Sequence, residues 1–106
     1  MTKDKEFIVV KTTYPNINQA RELSQILLEK KLATCVQLVP IESYYLWNNT
    51  IENSREILLL IKTKSSYYVQ VEMIIKQHCQ YETPQIIANK IDFIASDYAN
   101  WFDDVI

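Results

Sequence analysis

Residues 33–64, ATCVQLVPIESYYLWNNTIENSREILLLIKTK, constrain the fold most, because they read as two long strands about a polar break. Residues 33–47 carry Val36, Leu38, Val39, Ile41, Tyr44, Tyr45, Leu46 and Trp47, and residues 55–63 carry Ile57, Leu58, Leu59, Leu60 and Ile61. Asn48-Asn49-Thr50 lies between them and supplies side chains that tolerate the positive φ of a tight reversal. One continuous strand over residues 33–47 would run roughly 50 Å at about 3.3 Å per residue. A compact domain of this length is only about 35 Å across. The arm therefore bends, with Pro40 the natural place, or it overhangs and requires a partner, which points to an obligate oligomer.

The 106 residues suffice for one domain, residues 1–106, with a modest core. A chain that is 48% apolar and 23% charged folds rather than staying disordered. A net charge of −2 leaves no basic footprint for nucleic acid or an anionic membrane. No apolar run reaches the length of a membrane span, and the polar opening MTKDKE is not the start of a secretory signal. Two cysteines, Cys35 and Cys79, make no disulfide framework and point to a reducing, cytoplasmic setting; an organellar one stays open should a targeting segment precede this sequence. Glycine is absent, which excludes the usual phosphate cradles and dinucleotide fingerprints and leaves turns to Asn, Asp, Ser and Pro.

Residues 7–12 (FIVVKT) form a short β-branched run, expected to be a buried strand that Tyr14-Pro15-Asn16 stops. Asn16 and Gln19 have the spacing of a capping box, and Ile17, Ala20, Leu23, Leu27 and Leu28 follow helical period, with Lys30 and Lys31 at the end that suits cations. Beyond the hairpin, Ser65 or Ser66 is the expected cap of a helix whose Val71, Ile74, Ile75 and His78 share a face. Residues 85–91 read as a weaker edge strand after Pro84, and Ser96 as the cap of a last helix with Tyr98, Trp101 and Phe102. The order β-α-β-β-α-β with an extra C-terminal helix predicts an α+β, ferredoxin-like fold on an antiparallel sheet with a long central hairpin.

Soft metal donors are few: Cys35, Cys79 and His78, with Met73 beside them, a set that favours Cu(I) or Zn(II). No CxxC or HxxxH spacing groups them. Packing is the plainer role for Cys35, as a small hydrophobe early in a strand, and for His78, as a half-buried imidazole. Thiol catalysis would need an acidic Cys35 with His78 as its base, and no nucleophile signature surrounds either residue, so an enzyme is not expected. Glu52, Glu56, Asp103 and Asp104 read first as solvated carboxylates. The seven tyrosines and two tryptophans suit a subunit interface, with Tyr45 and Trp47 at its centre, better than a base-stacking surface short of basic residues.

KLATCVQLVP (31–40), the Ser43, Tyr45, Trp47 alternation, Glu56 before ILLLIKTK (57–64) and Tyr81-x-x-Pro84 follow one another in order; Thr12-x-x-Pro15 precedes them and Tyr98-x-x-Trp101 closes the set. Together, over about residues 7–102, this resembles the CutA family of divalent-cation tolerance proteins. The resemblance implies a homotrimer whose long strands pair between subunits. It also implies binding of copper, as Cu(I) or Cu(II), or another divalent metal that the fold does not require, with Cys35 the first candidate ligand by family position; Cys79 and His78, the latter displaced by one position from the family histidine, are secondary candidates. The family typically reads His-Pro-Tyr-x-x-Pro-Glu where this chain has Cys79-Gln80-Tyr81-Glu82-Thr83-Pro84-Gln85, so a thiolate site for Cu(I) transfers more readily than a hard-cation site. Asn49 stands where the family usually has glycine. The alternative function is a PII-like signalling or scaffold module, its inter-subunit clefts taking a small molecule or protein partner on Glu56, Lys62 and Tyr81.

Overall fold

A computed structural model describes residues 6–106; the run Met1 to Lys5, and with it most of the polar opening, lies outside the described residues. Strands β1 (Phe7–Tyr14), β2 (Cys35–Trp47), β3 (Thr50–Lys64) and β4 (Ile86–Lys90) form one antiparallel sheet in the order β2-β3-β1-β4. Helices α1 (Ile17–Glu29) and α2 (Tyr68–His78) fill the crossovers, and α3 (Ser96–Val105) ends the chain. The β-α-β-β-α-β order is the expected one, with β4 at an edge. Period-2 alternation decides the faces. Ile8, Val10 and Tyr14 of β1 align with Leu59 and Ile61 of β3 on one face, where they meet Ala20, Leu23 and Leu27 of α1 and Val71 and Ile75 of α2 in the core. On the other face α3 covers one end of the sheet: the rings of Phe7 and Phe102 lie 4.5 Å apart, and Lys64 pairs with Asp103 at 2.9 Å. Asp103 is thus a structural partner rather than the free surface carboxylate its sequence context suggests.

Helix ends depart most from expectation. Asn16 caps α1 by accepting from the main-chain N–H of Gln19 at 2.9 Å. The reciprocal arm of a capping box is missing, since buried Oε1 of Gln19 has no hydrogen-bond partner. At the other end Lys31 adopts φ 57°, Lys31 N–H bonds to the Leu28 carbonyl at 3.0 Å, and Leu32 N–H to that of Leu27 at 2.9 Å. This is a Schellman closure with lysine in the left-handed place that glycine usually takes. Lys31 therefore works through its backbone rather than by its charge, and turns here are not confined to Asn, Asp, Ser and Pro. Neither Ser65 nor Ser66 caps α2. A single 3-10 turn, Ser65–Tyr67, precedes it, and its cap position falls to Tyr67 without a side-chain bond. Ser96 is the first residue of α3 rather than its cap, a position held by Ala95.

Pro40 does not bend the long arm. It sits opposite Ile57 in an unbroken β2–β3 register from Cys35↔Lys62 to Trp47↔Thr50. β2 is an edge strand, where a missing N–H costs no ladder bond on the open side. The second arm starts at Thr50 rather than Arg55, because residues 50–54 continue the ladder despite their polarity. Asn48 and Asn49, at φ 50° and 63°, make the reversal. The molecule consequently measures 50 × 26 × 22 Å. β1 stops at Tyr14, opposite Ile57, so among the described residues 50–56 of β3 pair with β2 alone.

Candidate functional site

A cleft opens where β1 gives out. Its walls are Glu42, Ser43, Tyr44, Tyr45 and Trp47 of β2, Glu52 and Glu56 of β3, Thr13 of β1, and Tyr81, Glu82, Thr83 and Gln85 from the segment between α2 and β4. It encloses about 700 Å³. The free half of the hairpin supplies one wall, and residues 79–85, crossing from α2 to the edge strand, supply the other.

The firmest contact in the cleft joins these two walls. The Tyr81 hydroxyl donates to Oε2 of Glu56 at 2.7 Å, the short distance of a charge-assisted bond. Burial raises the pKa of the Tyr81 phenol well above its ordinary value, and the Glu56 carboxylate, through this hydrogen bond and its charge, raises it further. Tyr81 therefore stays a proton donor, and Glu56 is held in place with its second oxygen unengaged by that bond. Tyr45 stands directly opposite Glu52 across the hairpin, so ring and carboxylate share the cleft-lining face. Of the three cleft candidates in the sequence, the structure brings Glu56 and Tyr81 together. Lys62 lies six residues along β3, where its Nζ donates to the Tyr98 hydroxyl at 3.3 Å and rests over the Tyr98 ring under α3.

The soft donors are spread out. Cys35 is half-buried at the head of β2, opposite Lys62 and in the same row as Val9. Cys79, also half-buried, follows α2, packs against the core, and accepts the Tyr81 N–H on Sγ at 3.4 Å. Cys35 thus stands level with Val9 of β1, whereas Cys79 lies beyond the end of α2 against the helix-covered core. Nδ1 of His78 faces Glu22 of α1 at 4.0 Å. Among the described residues no group of three or more His, Cys, Asp or Glu side chains is placed to hold a metal ion.

Reading the sequence alone missed Glu42, Glu82, Thr13 and Tyr44 as cleft residues and treated Glu52 as surface. The available signal was strand parity: Tyr45, Glu52 and Glu56 fall on one face once the hairpin register is fixed at Asn48-Asn49.

The family model described as CutA1 divalent ion tolerance protein matches residues 8–105. The chain is similar to the divalent-cation tolerance protein CutA of Archaeoglobus fulgidus, 34% identical over 94 residues that make up 89% of this chain and 92% of that one. It is also similar to the chloroplastic protein CutA of Arabidopsis thaliana, 35% identical over 95 residues, 89% of this chain but 52% of that longer protein. Its fold matches the solved structure of the periplasmic divalent cation tolerance protein CutA from Archaeoglobus fulgidus with a TM-score of 0.90 and 32% identity, covering 93% and 97% of the two chains. These relatives occupy different compartments, and among the described residues no helix is long and apolar enough to cross a membrane. With the family model spanning nearly the whole sequence and the sheet, helices and long hairpin superposing on a solved relative, the chain belongs to the CutA1 divalent ion tolerance family.

Proposed function

We propose that this chain is a non-enzymatic, homotrimeric metal-ion tolerance protein that binds copper through thiolates supplied by more than one subunit. The hairpin carries the assembly part of this reading. Among the described residues β2 is an edge over its full length, residues 50–56 of β3 have no second neighbour, and Tyr44, Tyr45, Leu46, Trp47 and Ile51 leave large apolar surface on the projecting arm. Free strand edges of this length are usually covered, and copies of the same hairpin would cover them. The metal part rests on family membership together with two half-buried thiols. Because a single chain gathers no complete donor set among its described residues, Cys35 and Cys79 would take part in a site only where subunits meet.

Sedimentation equilibrium of the purified protein tests the trimer, and a monomer at micromolar concentration overturns it. An anaerobic Cu(I) competition titration, run beside Cys35→Ser and Cys79→Ser, tests the metal. Defined stoichiometry per trimer that is lost in one variant supports the reading, and binding no tighter than that of an exposed thiol overturns it.

A second reading is favoured by the cleft itself. Its volume lies within the roughly 300–1,000 Å³ range of small-molecule pockets, and it joins Tyr81 and Glu56, two of the residues expected of a PII-like ligand site. In this reading the cleft takes a small organic ligand, with Tyr45 and Trp47 close to where a neighbouring subunit would wall its open side.

A further inference from the structure

We propose that the cleft is a site for an extended organic cation of the alkyl polyamine class, its ammonium groups held by Glu52 and Glu56 and its methylene chain lying along Tyr45, Trp47 and Tyr81. The proposal deepens the reading of the cleft as a ligand pocket and rests on it.

Charge narrows the ligand first. Glu42, Glu52, Glu56 and Glu82 line the cleft, and among the described residues that line it there is no Lys, Arg or His. Glu42 has Arg55 opposite it in the hairpin register, whereas no ion pair within the described residues engages Glu52, Glu56 or Glu82. An anionic ligand would meet repulsion on every side, and a cation would neutralise charge that the chain leaves uncompensated.

The shape of that charge separates an organic cation from a metal ion. Glu52 and Glu56 lie four residues apart on the same face of β3, about 13 Å along the strand. No group of three metal-ligating side chains converges among the described residues. Carboxylates set out in a line match several ammonium groups joined by a flexible chain, while a compact divalent ion needs its oxygens gathered around one point.

The walls supply the rest. Tyr45, Trp47 and Tyr81 present aromatic rings beside the carboxylates, the combination that attracts ammonium groups to ring faces and methylenes to apolar surface. Tyr81 spends its hydroxyl on Oε2 of Glu56, which leaves Oε1 of that carboxylate available to an ammonium N–H. Thr13, only 3% exposed, closes the cleft on the β1 side.

The test is a titration of the assembled protein with spermidine at matched ionic strength, followed by calorimetry and by the indole N–H resonance of Trp47. Hexanediol serves as the neutral control and glutarate as the anionic one. Saturable binding that shifts the Trp47 indole is expected for spermidine alone. Glu52→Gln and Glu56→Gln should each weaken it by about tenfold, the scale of one charged hydrogen bond discounted for solvent, and Glu72→Gln on α2 should leave it unchanged. If hexanediol or glutarate shifts the Trp47 indole as strongly, the cation class is wrong while the cleft remains a ligand pocket. If none of the three compounds moves the resonance, both the class and the pocket reading fall. Spermidine binding that Glu72→Gln weakens as much as Glu56→Gln would be general surface attraction and would also overturn the proposal.

Discussion

The hydroxyl of Tyr14, the last residue of β1, donates a 3.0 Å hydrogen bond to the main-chain carbonyl of Ile75 in α2. In a continuing helix that carbonyl would accept from Cys79, but the Cys79 N–H turns back to Lys76 at 3.4 Å. Tyr14 thus satisfies a carbonyl that the end of α2 leaves orphaned inside the core. Tyr14→Phe keeps the ring and strands the acceptor, so it should destabilise by about 1–3 kcal/mol. Urea unfolding measures this, and an unchanged midpoint would show that the bond contributes nothing.

The same phenol makes stability pH-dependent. Burial raises the pKa of Tyr14 above its ordinary 10.0, and Tyr81 is raised by burial and by Glu56. An acid whose pKa is higher when folded contributes stability that is fully present below the unfolded value and is lost as pH rises toward the folded one. The melting temperature should therefore decline as pH climbs beyond about 10, more steeply in the wild type than in Tyr14→Phe or Tyr81→Phe. Melting curves from pH 8 to 12 that run parallel in all three proteins would contradict this assignment.

Asn49 holds φ 63° at the hairpin reversal. A β-branched side chain there meets its carbonyl at a cost of about 1–2 kcal/mol, whereas glycine removes the clash. Asn49→Val should lower stability by that amount and Asn49→Gly should hold it or raise it slightly, as read by thermal melting. The reverse order would mean that the Asn49 side chain, rather than its backbone, is what the turn needs.

Trp47 is 45% exposed at the end of β2 in the single chain. If hairpins of neighbouring subunits cover it, Trp47→Ala should weaken assembly by about 2–4 kcal/mol while leaving the core untouched. Sedimentation across a dilution series detects the shift, and unaltered association would remove Trp47 from the interface.

The hairpin, the helices and the order of elements were legible because they rest on periodicity, which is local. Asn48-Asn49 marked the turn, and the helical stripe of Ala20, Leu23 and Leu27 marked the face that is now fully buried. Residues 50–54 were less legible: their polar composition resembles a loop, and it is pairing with β2 that makes them a strand. Lys31 carried no mark at all, since nothing about lysine announces a left-handed backbone. The Schellman closure shows only in the bonds of Lys31 and Leu32. Tyr81 and Glu56 were each visible as candidates, yet their 2.7 Å contact depends on where β1 stops, which no window of sequence contains. His78 and Cys79, neighbours in sequence, point one toward Glu22 and the other toward the Tyr81 backbone.

The early end of β1 also bears on the route by which the chain folds. From Trp47↔Thr50 the hairpin can zip outward over a gap of two asparagines, each new pair closing only a slightly longer loop. β1 must then dock on a ladder already formed, and β4 joins it through Val9↔Asn89, contacts drawn from nearly opposite ends of the chain. Because early pairs are local and late ones are not, hairpin amides are expected to gain protection before those of β1 and β4 in pulsed hydrogen exchange during refolding. Simultaneous protection of all four strands would show instead that the sheet condenses as one unit.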